Sequence, residues 1–180
     1  MALALEPAPG PLLAATLDLL GHHPGLSVPP PENLHLTLAF LGELDTGQVA
    51  EAAEAVRAAT VGRSTWDVSW GQGGAFPTLQ RPRVLWLGLA DEAATREMQA
   101  RLSAELARRG FRGEDRPFRP HLTLARVRRG ITPGSLLALE GELAAIVVPP
   151  PAAVRGLLLY ESRAGRQSPT YVPVASASLL

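Results

Sequence analysis

The five-residue sequence His-Leu-Thr-Leu-Ala occurs twice in this chain, at 35–39 and at 121–125. An imidazole with an ordinary pKa of ~6.5 can accept or donate a proton near neutral pH. Two imidazoles at one centre can therefore take a proton from one oxygen and deliver a proton to another. A threonine, Thr37 or Thr123, follows two residues after each histidine and can donate a hydrogen bond to an anionic oxygen. These residue types favour proton transfer around a bound phosphate ester.

The spacing within each copy predicts a β-strand that positions these groups. Residues two apart share one face of a strand but point in different directions on a helix. His35 and Thr37 would then share a polar face, and the leucines between and beside them would form an apolar face. A run of prolines at 29–31 lies just upstream and disfavours a helix. We expect strands at 34–41 and 119–127.

The two copies lie 86 positions apart in a chain of 180 residues, which predicts two similar halves. Such halves would bring the two imidazoles to opposite sides of one cleft. The predicted fold class is α+β, with two pseudo-symmetric lobes of mostly antiparallel sheet, helices on the outside and an active cleft between the lobes. Residues 1–180 are expected to form a single bilobal domain, in which each lobe supplies one His-x-Thr-x strand, 34–38 or 120–124.

Hydrophobic periodicity and turn residues predict the other elements. Helices are expected at 11–20, 47–59, 91–109 and 134–140, and strands at 2–6, 64–70, 84–89, 144–148, 154–161 and 170–175. The glycine-rich stretch 71–77 is expected to be a loop, and 165–169 a turn.

Side chains at the predicted helix ends have simpler interpretations than catalysis. Asp45 or Thr46 is expected to cap the second helix, and Thr132 the last one. His22 and His23 close the first helix, where a cationic imidazole is favourable, and are expected to be surface residues.

Composition restricts the class of protein. Hydrophobic residues make up 46% of the chain and no long uninterrupted apolar run occurs, so we expect a cytoplasmic protein that does not enter membranes. We also expect a monomer. The absence of cysteine excludes disulfides, thiolate nucleophiles and cysteine-ligated metals.

The formal net charge is zero, but the charges are unevenly distributed. Residues 1–60 contain seven acidic residues and one arginine, whereas 108–129 contain eight arginines and two acidic residues. The eight are Arg108, Arg109, Arg112, Arg116, Arg119, Arg126, Arg128 and Arg129. As a group they would attract a polyanion toward the second motif, although any one of them can be a solvated surface residue.

Two other interpretations of the histidine pair remain open. Both could be hydrogen-bonded core residues without a chemical role. Both could instead be ligands of a catalytic metal, although no His-x-x-x-His or carboxylate at ligand spacing supports a metal site. We expect neither a metal nor a cofactor.

The paired motifs and their flanks resemble the two-histidine (2H) phosphoesterases, and within them the RNA 2′,3′-cyclic phosphodiesterases, also called 2′-5′ RNA ligase-like proteins. The matching stretches are 30–38, 40–43, 81–88 and 117–126. The resemblance extends from about residue 28 to the strand that contains Tyr171.

The resemblance implies a role for each matched residue. His35 corresponds to the proton donor and His121 to the proton acceptor, while Thr37 and Thr123 would hold the phosphate. Arg126 matches an arginine that is frequent in the family. Strand alternation, however, places Arg126 on the face opposite His121 unless the strand bulges or ends there.

The function that the resemblance implies is hydrolysis of RNA 2′,3′-cyclic phosphodiester ends to 2′-phosphomonoesters, without a metal. The same groups would permit the reverse reaction, 2′-5′ RNA ligation. The partner would be RNA with a cyclic phosphate end, or a cyclic nucleotide. The alternative is a non-catalytic module of the same fold that binds RNA ends or nucleotides.

Overall fold

The computed structural model describes residues 1–128, 133–165 and 169–180. Its strands form two antiparallel sheets of four strands each, which confirms the predicted α+β class. The strands are β1 (Ala2–Glu6), β2 (Leu26–Ser27), β3 (Trp66–Val68), β4 (Trp70–Phe76), β5 (Val84–Leu89), β6 (His121–Val127), β7 (Ala152–Arg163) and β8 (Thr170–Ser178). The helices are α1 (Pro9–Leu12), α2 (Ala14–Gly21), α3 (Thr46–Thr60), α4 (Ala93–Arg108) and α5 (Pro133–Ala144).

Each sheet contains strands from distant parts of the chain. In the first sheet, β7 pairs with β1, β3 and β8. In the second sheet the order is β2-β6-β5-β4, so β5 is a central strand, as its continuous apolar sequence predicts. Strands of the two sheets therefore alternate along the chain, whereas each motif is one continuous stretch.

The helices agree with the sequence prediction where capping and periodicity are strong. Asp45 caps α3, because its carboxylate accepts from the Gln48 backbone N–H at 2.8 Å while the Gln48 side chain accepts from the Asp45 N–H at 3.0 Å. The predicted helix 11–20 is instead two short helices that meet at Leu13. The predicted strand 144–148 is wrong, because α5 continues to Ala144 and no strand follows before β7 in the described chain.

The glycine-rich stretch 71–77 is largely strand β4 rather than the predicted loop. Its glycines allow close approach instead of a turn. A Cβ atom at Gly74 would overlap the ring of Trp86 on the neighbouring strand, and one at Gly73 would lie 2.8 Å from the Leu143 carbonyl oxygen. The glycine pattern of the sequence alone cannot distinguish a turn from a strand whose glycines make room for close packing.

The first motif does not form the predicted strand 34–41, and its 34–38 core is an extended segment outside both ladders. It makes two isolated antiparallel bridges, Thr37 with Ala2 of β1 and Leu36 with Leu122 of β6. Its neighbours on the two sides belong to different sheets, so a continuous ladder does not form. The segment joins the edge of the first sheet to the second.

Three sequence features lie outside the described residues. They are Arg129, the expected helix cap Thr132 and residues 166–168 of the expected turn. None of the helices in the described part of the chain combines the length and the hydrophobicity that a membrane-spanning segment needs.

Candidate active site

The bridge between Leu36 and Leu122 brings the two motifs side by side. In an antiparallel pair, the residue before one bridge partner lies opposite the residue after the other. His35 therefore lies opposite Thr123. Opposite residues have Cβ atoms about 5 Å apart and point to the same side.

The same register places Thr37 opposite His121. The histidine of each motif thus faces the threonine of the other, and all four side chains share one surface. Each of the four is half-buried. The alternating leucines fill the core behind them. These are Leu34, Leu36, Leu38, Leu122 and Leu124, all buried.

Both imidazoles are held by the same local hydrogen bond. His35 Nδ1 lies 2.7 Å from the Asn33 carbonyl oxygen, and His121 Nδ1 lies 2.7 Å from the Arg119 carbonyl oxygen. A carbonyl oxygen only accepts, so Nδ1–H is the donor in each ring. The Nε2 atom of each ring is then available for proton transfer.

Burial lowers the pKa of both His35 and His121, because the charged imidazolium loses solvation. The backbone hydrogen bonds to Asn33 and Arg119 act in the opposite direction and only partly offset it. Both rings are therefore mainly neutral at pH 7 in the free protein. A bound phosphate anion would favour the protonated form of whichever ring lies closest to it.

An open cleft of about 870 Å³ extends from this surface. His35, Thr37, Thr123 and Arg126 all line it. His121 is not among the lining residues; it lies beside them, opposite Thr37. The cleft is large enough for a nucleotide-sized ligand.

A β-bulge in β6 brings Arg126 to the cleft. Thr123 pairs with Trp86 and Ala125 pairs with Leu85, so two steps along β6 match one step along β5. Ala125 is consequently buried, and the alternation of faces is reversed beyond it. Arg126 therefore points to the same side as Thr123. Strand alternation in the sequence allowed Arg126 on this face only if the strand bulged or ended, and the strand does bulge.

The first motif has an equivalent irregularity. The backbone N–H groups of Leu38 and Ala39 both donate to the Met1 carbonyl oxygen, at 2.9 and 3.4 Å, and both side chains are buried. Phe40, the residue equivalent to Arg126, is therefore turned toward the cleft, where it is 70% exposed. The two motifs are related by a local pseudo-two-fold axis, but one carries a cation where the other carries an aromatic ring.

Three aromatic residues of the site were missed by sequence reasoning. The ring centroid of His35 lies 4.6 Å from that of Tyr171 and 5.8 Å from that of Tyr160. The ring of His121 packs edge-to-face on Phe76 at 5.0 Å. Single aromatic residues in β4, β7 and β8 carry no motif, so no signal in the sequence could have found them.

Within the described residues, no group of three histidine, aspartate or glutamate side chains could hold a metal ion. The residues that line the cleft and carry an ionisable group are Met1 with its terminal amine, His35, Glu43, Arg126, Tyr160, Glu161 and Tyr171. His121 lies beside them. Burial raises the pKa of Tyr160, which stays neutral at physiological pH.

The family model described as LigT like Phosphoesterase matches residues 6–86 and 87–171. Each matched region contains one His-x-Thr motif.

Curated relatives share this similarity. An RNA 2′,3′-cyclic phosphodiesterase of Aeropyrum pernix is 33% identical over 141 residues, covering 78% of this chain and 78% of that protein. A Geobacillus stearothermophilus protein of the same name is 32% identical over 83% of this chain, but the match spans 46% of its length. The match to a Methanothermobacter thermautotrophicus protein of that name, 36% identical over 63% of this chain, spans 61% of its length.

Solved structures share the fold over nearly the whole chain. E. coli LigT complexed with 3′-AMP has a TM-score of 0.73 and 26% identity, with 99% of this chain and 95% of that chain covered. A Thermus thermophilus protein, TT0787, has a TM-score of 0.73 and 25% identity over the same shares.

Proposed function

Because this chain belongs to the LigT-like phosphoesterase family, we propose that it hydrolyses RNA 2′,3′-cyclic phosphodiester ends to 2′-phosphomonoesters. The observation that carries this proposal is the antiparallel bridge between the two motifs, with a histidine of each opposite a threonine of the other. The similarity to relatives such as the RNA 2′,3′-cyclic phosphodiesterase of Aeropyrum pernix supports it.

The proposed reaction is a single displacement at phosphorus. Neutral His121 accepts a proton from water as the water oxygen bonds to phosphorus. The bond from phosphorus to O3′ breaks, and protonated His35 delivers its proton to O3′, so that the phosphate remains on O2′. Thr37, Thr123 and Arg126 donate hydrogen bonds to the non-bridging oxygens, where negative charge increases in the transition state.

Rate estimates indicate that these groups suffice. A positioned general acid or base contributes about 10²–10⁴-fold each. Removing one preorganised donor to a developing anion typically costs about 10²–10³-fold, so the threonines and Arg126 add a comparable factor. The proposed mechanism therefore requires no metal, and activity in excess chelator is part of the proposal.

The same arrangement supports 2′-5′ ligation. If the 5′-hydroxyl of a second RNA replaces water, the identical steps produce a 2′-5′ linkage. In the back reaction, His121 and His35 exchange the roles of base and acid.

We also propose that residues 1–180 act as one bilobal unit, as a monomer, in the cytoplasm. One chain supplies both motifs, which supports a site that needs no second copy. RNA, the proposed substrate, is abundant in the cytoplasm.

The test is incubation with a 2′,3′-cyclic nucleotide, followed by phosphorus NMR, which distinguishes a 2′-phosphate from a 3′-phosphate. We expect only the 2′-phosphate. His35→Ala and His121→Ala should each reduce kcat by about 10²–10⁴-fold, because each removes one proton-transfer group.

The matched control is His22→Ala. His22 is exposed at the end of α2, and within the described residues its ring bonds only to the Asp18 carbonyl oxygen, so this variant should keep full activity. Full turnover by either motif variant would refute the assignment. Tight nucleotide binding by the wild-type protein without any product would identify the non-catalytic binding module instead.

A further inference from the structure

Arginines continue from the cleft along the end of β6. Arg126 lines the cleft, and Ser27 of β2, which pairs with it, lines the cleft as well. Arg128 lies two residues further, and its guanidinium donates to the Ser27 hydroxyl at 3.3 Å. The Arg128 backbone N–H is held by the Gly25 carbonyl oxygen at 2.7 Å. Alternate residues of an extended chain point to the same side, so Arg128 and Arg126 share a side. Their Cα atoms are about 6–7 Å apart along the strand.

The neighbouring strand adds two more arginines at the same end of the sheet. Arg83 directly precedes β5, and its carbonyl oxygen accepts from the Val127 N–H at 2.9 Å. Arg81 lies in the turn between β4 and β5. We call Arg81, Arg83 and Arg128 the basic edge. All three are exposed.

The basic edge has no acidic partner. No carboxylate of the described residues lies within 4.0 Å of a nitrogen of its three side chains, whereas Arg108 and Arg109 are both paired with Glu105. The residues outside the description include no aspartate or glutamate. Exposed cations that lie together without carboxylates create a positive potential, which attracts anions.

We propose that the basic edge binds backbone phosphates of the RNA that precedes the cyclic end. This inference rests on the proposed function, because the cleft holds the terminal nucleotide while the chain leaves past Ser27 and Arg128. The preferred substrate is then an RNA of several nucleotides rather than a cyclic mononucleotide. The spacing along the strand is comparable to that of successive phosphates in an extended RNA strand.

Recognition of this type has a distinct signature. Contacts to phosphates carry no sequence information, and each one releases condensed counterions from the RNA. Affinity for a single strand therefore falls with salt, with a slope of about 0.7 per neutralised phosphate on logarithmic axes. The basic edge should give longer RNA a salt dependence that a mononucleotide lacks.

The experiment compares kcat/KM for 2′,3′-cyclic AMP with that for a six-nucleotide RNA that ends in a 2′,3′-cyclic phosphate. The variant is the double substitution Arg83→Gln and Arg128→Gln. At low salt we expect a loss on the order of tenfold for the oligonucleotide and no change for cyclic AMP. The salt slope for the oligonucleotide should become shallower by about 1.4, for two lost contacts.

The control variant is Arg57→Gln with Arg63→Gln. Each of these arginines is solvent-accessible and paired with a glutamate, and neither the arginines nor the glutamates line the cleft. It removes the same net charge and should leave both substrates unaffected. Equal losses with the two variants would overturn the proposal in favour of a general charge effect.

Two further results would overturn the proposal. An unchanged oligonucleotide rate would mean that the basic edge does not bind the chain, and equal losses on both substrates would mean that it supports the cleft. If the wild-type protein turns over neither substrate, the proposed function fails separately. Equilibrium binding of the same oligonucleotide ending in a 2′-phosphate then tests the basic edge, with a tenfold weaker Kd expected for the variant. Equal thermal unfolding of all variants verifies that they fold.

Discussion

The lowered pKa of the two histidines determines how the site should respond to pH. The proposed reaction needs neutral His121 and protonated His35, and the profile of kcat/KM reports the pKa values of the free enzyme. Burial lowers both values below the usual ~6.5. We therefore expect a bell-shaped profile with its maximum on the acid side of neutrality, and a decline in kcat/KM as the pH rises through 7.

Arg126 can identify which limb belongs to which histidine. Burial is the largest influence on the pKa of His121, but the positive charge of Arg126 lowers it further. In Arg126→Gln the acid limb, which reports deprotonation of His121, should move to higher pH, while the alkaline limb stays in place. If only the alkaline limb moves, then His121 is the proton donor and His35 the proton acceptor, which is the reverse of the assignment.

At the residue scale, sequence reasoning succeeds where the determinants are local. The histidines and threonines could be singled out because a spacing of two, repeated in a matched context, specifies one face of an extended chain. Arg126 could be assigned only conditionally, because a bulge leaves no trace in hydrophobic alternation. Tyr160, Tyr171 and Phe76 could not be found, since distant strands bring them to the histidines.

At the scale of the element, β4 supports the His121 ring through its packing. Gly74 leaves room for Trp86, whose ring packs on Phe76 at 5.0 Å, and Phe76 packs on His121. Gly74→Ala should displace Trp86, destabilise the protein by about 1–3 kcal/mol and lower kcat. Urea unfolding and the cyclic-nucleotide assay measure the two effects.

Gly141→Ala provides the comparison for this prediction. A Cβ atom at Gly141 in α5 would meet nothing within 4 Å. Alanine is the better helix former by about 0.5–1 kcal/mol, so this variant should be more stable and equally active. A Gly74→Ala protein as stable as the wild type would show that β4 can shift without cost.

The first motif shows what alternation can and cannot predict about an element. Its buried leucines and half-buried His35 and Thr37 follow the expected period of two. That period is the same for a ladder strand and for an extended segment with one bridge on each side. The difference lies in the neighbours, β1 and β6, which belong to different sheets.

At the scale of the whole molecule, the sheets do not correspond to the halves of the sequence. The stretch 1–110 contains β1 and β3 of the first sheet but lacks β7, with which both pair. The stretch 111–180 contains β6 but lacks β5. Neither fragment should fold alone, and neither should show cooperative thermal unfolding by circular dichroism.

Mixing the two fragments tests the same idea from the other direction. The cut at 110 falls in an exposed connection after α4, so the two pieces should reassemble and recover part of the cyclic-nucleotide activity. A cooperative transition in either fragment on its own would contradict the interleaved arrangement as the source of stability.

The interleaving of the sheets also determines how the cleft can move. The chain passes from one sheet to the other four times: between β1 and β2, before β3, between β3 and β4, and before β7. The passage between β3 and β4 consists of Ser69 alone. Opening by a single hinge would require all four connections to bend together. We therefore expect the two sheets to keep a fixed position relative to each other when a ligand binds. Ligands then enter and leave a preshaped opening, and selection depends on fit at the walls instead of on closure around the ligand.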